Sequence, residues 1–349
     1  VASAVAGAYE VANSCRFNDG DSAYMQKSAS GGNRRTFTIS AWVKRSATGG
    51  GVSGYNTFFS SDEDVENSFR LTFSGDASDD KIMTYFYTGS QQMQLITNRE
   101  FRDFSAWYHV VVAVDTTQGT EANRTKLYVN GVQETSFSTE NYPDQNQDMS
   151  VNQSGAPNRV GAGTSLFFDG YIAEFCLIDG LALAPTSFGE FNSDSPTIWQ
   201  PIDVSGLTFG TNGFYLDFEA SANLGNDANG GTDLTETNVA ATDQSTDTPT
   251  NNGNVHNILI KSTPTLSEGN LNVTTSVDDT WETATGTIGV NSGKWYCEYK
   301  VITKGSSAMF GVISTTEVNA AATGKHIGYS GLNSLGYGYN HGGQKYNNN

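Results

Sequence analysis

The run RTFTISAWVKR at residues 35–45 decides the fold of this chain. Alternate positions of the run carry the apolar side chains Phe37, Ile39, Ala41 and Val43. A period of two is typical of a β-strand that turns one face to a core. Three further runs are β-rich and closed by turn residues, namely SAWYHVVVAVD (105–115), KLYVNGV (126–132) and FFDGYIAEFCLIDG (167–180). Together these runs predict an antiparallel β-sandwich.

Two of these runs also predict position and connection. In the run 105–115 both sets of alternate side chains are apolar between Tyr108 and Val114, which predicts a strand in the middle of a sheet. Asn130 and Gly131 tolerate the positive φ angles of a tight turn, so we expect a β-hairpin there.

Composition favours an all-β chain of about two domains. The 349 residues include 38 Gly and only 7 Pro, and Asn, Asp, Ser and Thr are dense between the apolar runs. Frequent turns of this kind are typical of β-proteins with many short strands, and the length allows about two domains.

The net charge of -18, from 19 basic and 37 acidic side chains, argues against two classes of partner. Phosphate backbones and anionic membrane faces are repelled by such a field. The longest apolar stretches, such as Val110 to Val114, are too short to cross a bilayer. We therefore expect no nucleic-acid binding and no membrane insertion, while neutral glycans, divalent cations or a salty medium remain compatible.

Changes in patterning predict four segments. Residues 1–14 are weakly patterned and predict an N-terminal arm, and 15–195 predict the sandwich. Residues 219–254 contain almost no large apolar side chain, so we expect 196–262 to be a linker or extended loop region. Period-two patterning returns in 263–349 and predicts a second β module, which we expect to be incomplete.

The first β region resembles the laminin G-like (LamG), concanavalin A-like jelly-roll family. The matching words are FNDGDSAYM, FTISAWVKR, WYHVVVAVD, KLYVNGV and FFDGYIAEFCLIDGLAL. The resemblance implies two curved antiparallel sheets. The words GTIGVNSGKWYCEYKV, FGVIS and IGYSG resemble the start of a SPRY (B30.2-like) module, whose later strands are absent from this sequence.

The combination of words resembles the large structural proteins of marine tailed bacteriophages. This resemblance rests on the words AGAYEVANSCRFNDGDSAYMQKS, DGYIAEFCLIDGLALAPTSFGEF and TFGTNGFYLDFEASANLGNDANGG. In those proteins LamG-like and SPRY-like modules belong to tail fibres or related appendages. The resemblance implies a location in the virion, on the tail or another external appendage.

Catalysis is not predicted. A retaining glycoside hydrolase needs two carboxylates on one strand face about 5 Å apart. The acidic run 62–66 places Glu63 and Asp64 side by side, so they would face opposite ways in a strand, and we expect this run to be a solvated loop. His109 lies in a core-like strand, so we expect it to be a packed, hydrogen-bonded residue rather than a base.

The three cysteines predict neither a zinc site nor a disulfide framework. Cys15, Cys176 and Cys297 lie far apart and form no CxxC unit. We expect them to be buried free thiols.

Aromatic side chains in or near loops are the candidate ligand contacts. Tyr55, Tyr85, Tyr87 and Tyr142 are placed to stack on sugar faces, while core packing or ordinary exposure is the alternative for each of them.

Oxygen-rich turns are the candidate metal ligands. Asn18, Asp19 and Asp21 form one such turn, and Asp169 lies in another beside Gly170. Hard cations such as Ca²⁺ take carboxylate, amide and carbonyl oxygens, and many LamG-like domains hold Ca²⁺ at a sheet rim. The alternative is that these side chains cap their own turns through hydrogen bonds.

The leading hypothesis is a phage structural protein with no enzymatic step. It would be a tail-fibre or appendage subunit that binds a host-surface glycan or another virion protein through loops on a rigid sandwich. By analogy with fibre proteins we expect a homo-oligomer, a trimer. Two alternatives stay open, namely a head or tail decoration protein that cements its neighbours and a secreted bacterial adhesin module.

Overall fold

The computed structural model describes most of the chain. The described residues are 9–48, 54–64, 67–74, 80–275, 281–303, 308–315, 327 and 336–347. Most of the predicted arm and most of the IGYSG run therefore lie outside them, as do the side chains of residues 63–66.

The chain divides into two compact units, Val1–Gly253 and Asn254–Asn349. Residues 196–253 of the predicted linker or extended loop region 196–262 belong to the first unit, and residues 254–262 to the second. The part in the first unit is mostly loop, but it supplies short strands to the sandwich and is held by buried polar groups, neither of which gives a periodic apolar pattern.

The first unit is built from short strands. They are β1 (Ser14–Phe17), β2 (Tyr24–Ser28), β3 (Thr36–Arg45), β4 (Asn56–Asp64), β5 (Asn67–Phe73), β6 (Lys81–Thr88), β7 (Gln91–Glu100), β8 (Tyr108–Asp115), β9 (Thr125–Val129), β10 (Val132–Gln133), β11 (Phe137–Asn141), β12 (Pro157–Val160), β13 (Ala162–Gly163), β14 (Leu166–Phe167), β15 (Gly170–Asp179), β16 (Gly189–Phe191), β17 (Trp199–Pro201), β18 (Phe214–Leu216), β19 (Thr235–Thr237) and β20 (Gln244–Ser245). The helical elements described are single 3-10 turns at Asp19–Asp21, Glu121–Asn123, Pro185–Ser187 and Ala241–Asp243.

Two eight-stranded antiparallel sheets form the body of this unit. Sheet 1 has the order β10-β9-β8-β3-β15-β1-β20, with β18 also paired to β15. Sheet 2 has the order β11-β7-β6-β5-β4-β12-β2-β19. Strands β13–β14 and β16–β17 form two small hairpins. The predicted all-β, antiparallel sandwich is confirmed.

The main core lies between the two sheets, and the alternation in the run 35–45 predicts its position correctly. Phe37, Ile39, Ala41 and Val43 are fully buried members of one apolar cluster. Strand β8 pairs with β3 over its whole length, which confirms the central strand predicted for the run 105–115. The Asn130–Gly131 turn joins β9 to β10, with φ angles of 49° and 78°.

The outer face of sheet 1 is covered by chain that follows β15. A second apolar cluster joins Val111 and Cys176 of the sheet to Phe188, Val204 and Phe209 of the covering segment. A third joins Trp42, Trp107 and Trp199 with the N-terminal Val11. Sheet 1 is thus buried on both faces, which is why β8 is apolar on both of its sides.

The second unit contains smaller sheets. Its strands are β21 (His256–Lys261), β22 (Thr265–Ser267), β23 (Asn272–Thr274), β24 (Ala284–Gly286), β25 (Met309–Ile313), β26 (Gly336–Asn340) and β27 (Lys345–Asn347). They pair as β21-β24, β22-β23 and β25-β26-β27. Several large side chains in this unit are exposed, Tyr296 at 84% and Ile302 at 74% among them.

Two of the three cysteines behave as predicted. Cys15 and Cys176 are buried free thiols, and burial raises the pKa of both. Cys297 is exposed, so the expectation was wrong for this residue.

Over the described residues, the structure shows no helix with the length and apolar character needed to traverse a bilayer.

Candidate functional site

The outer face of sheet 2, turned away from the core, carries the candidate site. On β5 the side chains of Phe69, Leu71 and Phe73 enter the core. Arg70 is therefore on the outer side of this strand, because successive side chains alternate. Its cross-strand neighbour on β6 is Tyr85.

A buried carboxylate holds Arg70. The Nε atom of Arg70 lies 3.1 Å from both carboxylate oxygens of Asp62 on β4. Asp62 Oδ2 also accepts hydrogen bonds from the backbone N–H and the hydroxyl of Thr164, at 2.8 and 3.2 Å. Thr164 lies in the turn between β13 and β14, so this small hairpin borders the face. The guanidinium is fixed because two strands and a turn contribute to its clamp.

The solvated loop predicted for residues 62–66 is wrong at Asp62. This residue belongs to β4, pairs with Ser68 in the β4–β5 register and is 1% exposed. The acidic run suggested a loop because the partner that neutralises Asp62 comes from the next strand.

Tyr85 is positioned by the same arginine. Its hydroxyl accepts a 2.6 Å hydrogen bond from Arg70 Nη1, and the guanidinium carbon lies 5.6 Å from the centre of the ring. Burial raises the pKa of Tyr85, so the phenol stays neutral. The ring remains half-exposed in a fixed orientation and offers a rigid surface for stacking.

Three of the four candidate tyrosines lie together. Tyr87 is two residues along β6 from Tyr85, is half-exposed and donates a 3.2 Å hydrogen bond to the carbonyl of Gly89. Tyr55 is 39% exposed and close enough to Tyr85 to affect its pKa electrostatically.

Tyr142 lies at the rim instead. It follows β11, and its hydroxyl donates a 2.8 Å hydrogen bond to Glu140. Burial and the nearby Glu140 and Glu121 raise the pKa of Tyr142 to about 12. Glu121 belongs to the link between β8 and β9 of sheet 1, so Tyr142 is turned towards that link.

A second arginine approaches the same carboxylate. Arg159 Nη1 on β12 lies 4.0 Å from Asp62 Oδ2, and its Nε donates a 3.1 Å hydrogen bond to Gln26 on β2. One carboxylate therefore faces two guanidinium groups.

The predicted metal ligands come together in part. Phe17 pairs with Gly170 at the end of the β1–β15 register, so Asn18 and Asp169 follow at neighbouring positions. Asn18 Oδ1 accepts a hydrogen bond from Gly20 N–H, and its Nδ2 donates to Asp21.

These bonds match the alternative that the turn caps itself. Searched over the described part of the chain, the structure has no group of three or more His, Cys, Asp or Glu side chains that could hold a metal ion. Calcium binding by Asn18, Asp19, Asp21 and Asp169 stays a prediction.

His109 is packed and hydrogen-bonded, as predicted. It lies between the rings of Trp42 and Trp199, and Trp199 Nε1 donates a 2.9 Å hydrogen bond to its Nδ1. Its Nε2–H then donates to Ser40 Oγ at 2.8 Å. Burial lowers the pKa of His109 to about 3, so the ring is a neutral part of the core.

Sequence reasoning assigned Arg70 no role. The alternation of Phe69, Arg70 and Leu71 was the available signal. The pairing with Asp62 and Tyr85 depends on the register of three strands, for which the sequence has no local mark.

Comparison with known families supports this architecture. Residues 19–185 match the family model described as the concanavalin A-like lectin/glucanases superfamily. The matched stretch holds the clamp of Asp62, Arg70 and Tyr85. The first unit thus has a LamG/concanavalin A-like jelly-roll fold, which is a lectin type of fold. No curated protein matches the chain.

Solved structures show distant likenesses. A native heptameric SAP-like pentraxin from Limulus polyphemus is 15% identical, with 51% of this chain and 80% of that chain covered and a TM-score of 0.37. Domain 4 of AbnA, a GH43 extracellular arabinanase from Geobacillus stearothermophilus in complex with arabinotriose, is 21% identical (46% and 68% covered, TM-score 0.34). The CBM40 of the Ruminococcus gnavus IT-sialidase bound to α2,3-sialyllactose is 16% identical (42% and 87% covered, TM-score 0.30).

Proposed function

We propose that the protein binds a host-surface glycan through the outer face of sheet 2, with no covalent chemistry. The observation that carries the proposal is the clamp in which Asp62 and Tyr85 hold Arg70 between them. The lectin type of fold in the first unit supports a binding role.

The clamp suits sugar recognition for two physical reasons. A half-buried tyrosine ring offers an apolar face to the C–H groups of a sugar, and the buried Arg70 guanidinium holds that ring in place through its hydrogen bond to the Tyr85 hydroxyl. Because both groups are already held by neighbours, little side-chain entropy is lost when a ligand is bound. Gln94, which lies opposite Tyr85 on β7, adds an amide to the same face.

The state of Asp62 supports binding over hydrolysis. Its oxygens accept hydrogen bonds from Arg70 and Thr164, so the group holds the arginine in place. A glycosidase would need this carboxylate and a second one directed at the scissile bond.

We further propose that the protein is a tail-fibre or appendage subunit of a tailed-phage virion. The resemblance of its sequence words to phage structural proteins supports this location and the SPRY-like character of the second unit. Other virion proteins and further copies of the chain, as a trimer, would be its partners.

The test is binding of the purified full chain to a glycan array. We expect Tyr85→Ala to lose about tenfold or more in affinity for the glycan that wild type binds, since the stacking surface for the sugar is lost together with the hydrogen bond that aligns Arg70. Tyr142→Ala, at the rim, is the matched control and should bind as wild type does.

Three results would contradict the proposal. The decoration role would be favoured if the wild-type protein binds no glycan and if virions that lack it fall apart. Cleavage of polysaccharide at a catalytic rate would show an enzyme, and purified virions without this polypeptide would exclude the location.

A further inference from the structure

A polar cleft lies at the β2–β19 edge of sheet 2. It has a volume of about 490 Å³ and is bounded by β2 and by the segments 210–213 and 229–235. This volume is within the usual range for small-molecule sites. Every residue that lines it is polar or glycine, so its occupant must be hydrophilic.

A buried carboxylate with an unused oxygen lies under the wall of this cleft. Asp227 is 3% exposed, and its Oδ1 accepts hydrogen bonds from the backbone N–H groups of Tyr215 and Asn229, at 3.0 and 3.1 Å. Its Oδ2 has no hydrogen-bond partner. A buried acceptor without a hydrogen bond destabilises the folded state, and native structures rarely contain one.

The unused oxygen lies directly behind Gly231 in the cleft wall. A Cβ atom added to Gly231, which lines the cleft, would clash with Asp227 Oδ2 and would lie 3.6 Å from Lys27 Nζ. Because Gly231 has no side chain, the backbone of the cleft wall can lie close to both Asp227 Oδ2 and Lys27 Nζ.

Lys27 supplies the complementary donor. Its Nζ is 3.6 Å from Asp227 Oδ2, which is too long for a hydrogen bond. The ammonium group also lies over the Phe214 ring, with Nζ 5.8 Å from the ring centre. Lys27 and Asp227 thus form an ion pair without a hydrogen bond between them, at the edge of the cleft.

We infer that this Lys27–Asp227 cleft binds a neutral polyhydroxylated ligand, a sugar unit. A hydroxyl group accepts and donates at once, so one sugar hydroxyl can accept from Lys27 Nζ and donate to Asp227 Oδ2. An anionic group would be repelled by Asp227 and Asp233, and a cationic group by Lys27. The cleft is separate from the Tyr85 clamp, so this inference goes beyond the proposed function.

The test is a titration of the isotope-labelled full chain with neutral monosaccharides, with glucuronic acid as the charged probe. The readout is the set of amide resonances of Asn212, Gly213, Asn229 and Gly231. We expect a neutral sugar to shift these resonances in wild type and glucuronic acid to shift them less.

Variants separate the two sites. Asp227→Asn keeps an oxygen for the Tyr215 and Asn229 amides but loses the second acceptor, so affinity should fall about tenfold or more. Tyr85→Ala should leave the cleft resonances responsive. If Asp227→Asn does not fold, Gly231→Ala serves in its place, because it closes the approach to Oδ2.

Two outcomes would overturn the inference. If no neutral sugar shifts the cleft resonances, the Lys27–Asp227 cleft binds no sugar and holds only water. Shifts that vanish in Tyr85→Ala but persist in Asp227→Asn would assign the ligand to the clamp alone.

Discussion

The segment 196–253 and the second unit differ in how their sequence patterns relate to burial. Between Glu219 and Asn254 the first segment has almost no large apolar side chain, yet it is part of the sandwich unit. The second unit has about the same share of aromatic residues as the segment 196–253, yet Tyr296 and Tyr337 are exposed in it.

Buried polar groups order the first segment. Asp179 accepts hydrogen bonds from the backbone and side-chain amides of Asn212. Asp247 accepts from Lys44 Nζ at 2.7 Å and from Trp107 Nε1 at 3.0 Å. Each contact ties a loop to a rigid strand, and removal of one partner would leave a buried charge uncompensated.

The second unit shows the converse. Its described strands form sheets of two or three strands. Sheets this small bury little of the apolar face of their strands. The comparison teaches that an alternating apolar pattern alone does not secure burial, because burial depends on what covers the side chains.

A large effect is expected at Asp247, which ties the segment 196–253 to Lys44 and Trp107. Asp247→Asn leaves the fully buried Lys44 ammonium without its carboxylate, so we expect the free energy of unfolding to fall by about 3 kcal/mol or more. Urea unfolding followed by tryptophan fluorescence checks this. Asp194→Asn, at an exposed position, is the control and should change stability by no more than about 0.5 kcal/mol. Equal, small effects of both variants would show that the segment is a linker after all.

An intermediate, pH-dependent effect is expected at Glu174 of β15. The Tyr9 and Tyr215 hydroxyls both donate to its carboxylate oxygen Oε2, at 3.1 and 2.7 Å. Burial raises the pKa of Glu174 to about 7, with Asp217 and Glu219 adding to the rise. The folded state therefore holds the proton more tightly than the unfolded chain, and wild type loses stability as pH rises from about 4.5 to 7.

Glu174→Gln removes this titration. Its stability relative to wild type should increase across the same pH window, by up to about 3 kcal/mol, and level off above it. Unfolding curves at several pH values measure the difference. A difference that stays constant with pH would show that the carboxylate is not held protonated.

The smallest effect is expected in the second unit. Tyr337→Ser changes a side chain that is 61% exposed, so the free energy of unfolding should move by no more than about 0.5 kcal/mol. Phe214→Ala, in the buried cluster of the first unit, should cost about 3–5 kcal/mol. A large loss in Tyr337→Ser would mean that this face is covered in solution.

Sequence reasoning succeeded where one strand carries its own signal. The alternation of β3 and the doubly apolar β8 predicted the core between the sheets and the central place of β8. His109 could be assigned to the core because it lies inside such a strand.

It failed where the signal is split between distant residues. Asp62 is neutralised by Arg70 on the next strand, and Asp227 accepts the amide of Tyr215. Neither partnership has a period or a motif. The grouping of Tyr85 with Tyr55, and the placement of Tyr142 at the rim, likewise depend on register and could not be derived from local sequence.

Native-state hydrogen exchange of the full chain tests most directly whether the polar segment is built into the sandwich. The amides of Tyr215, Leu234 and Thr248 donate hydrogen bonds within the first unit. We predict that they exchange as slowly as those of Val111 and Val112 in β8, through global unfolding of that unit. Exchange at the rate of an open chain would contradict the account.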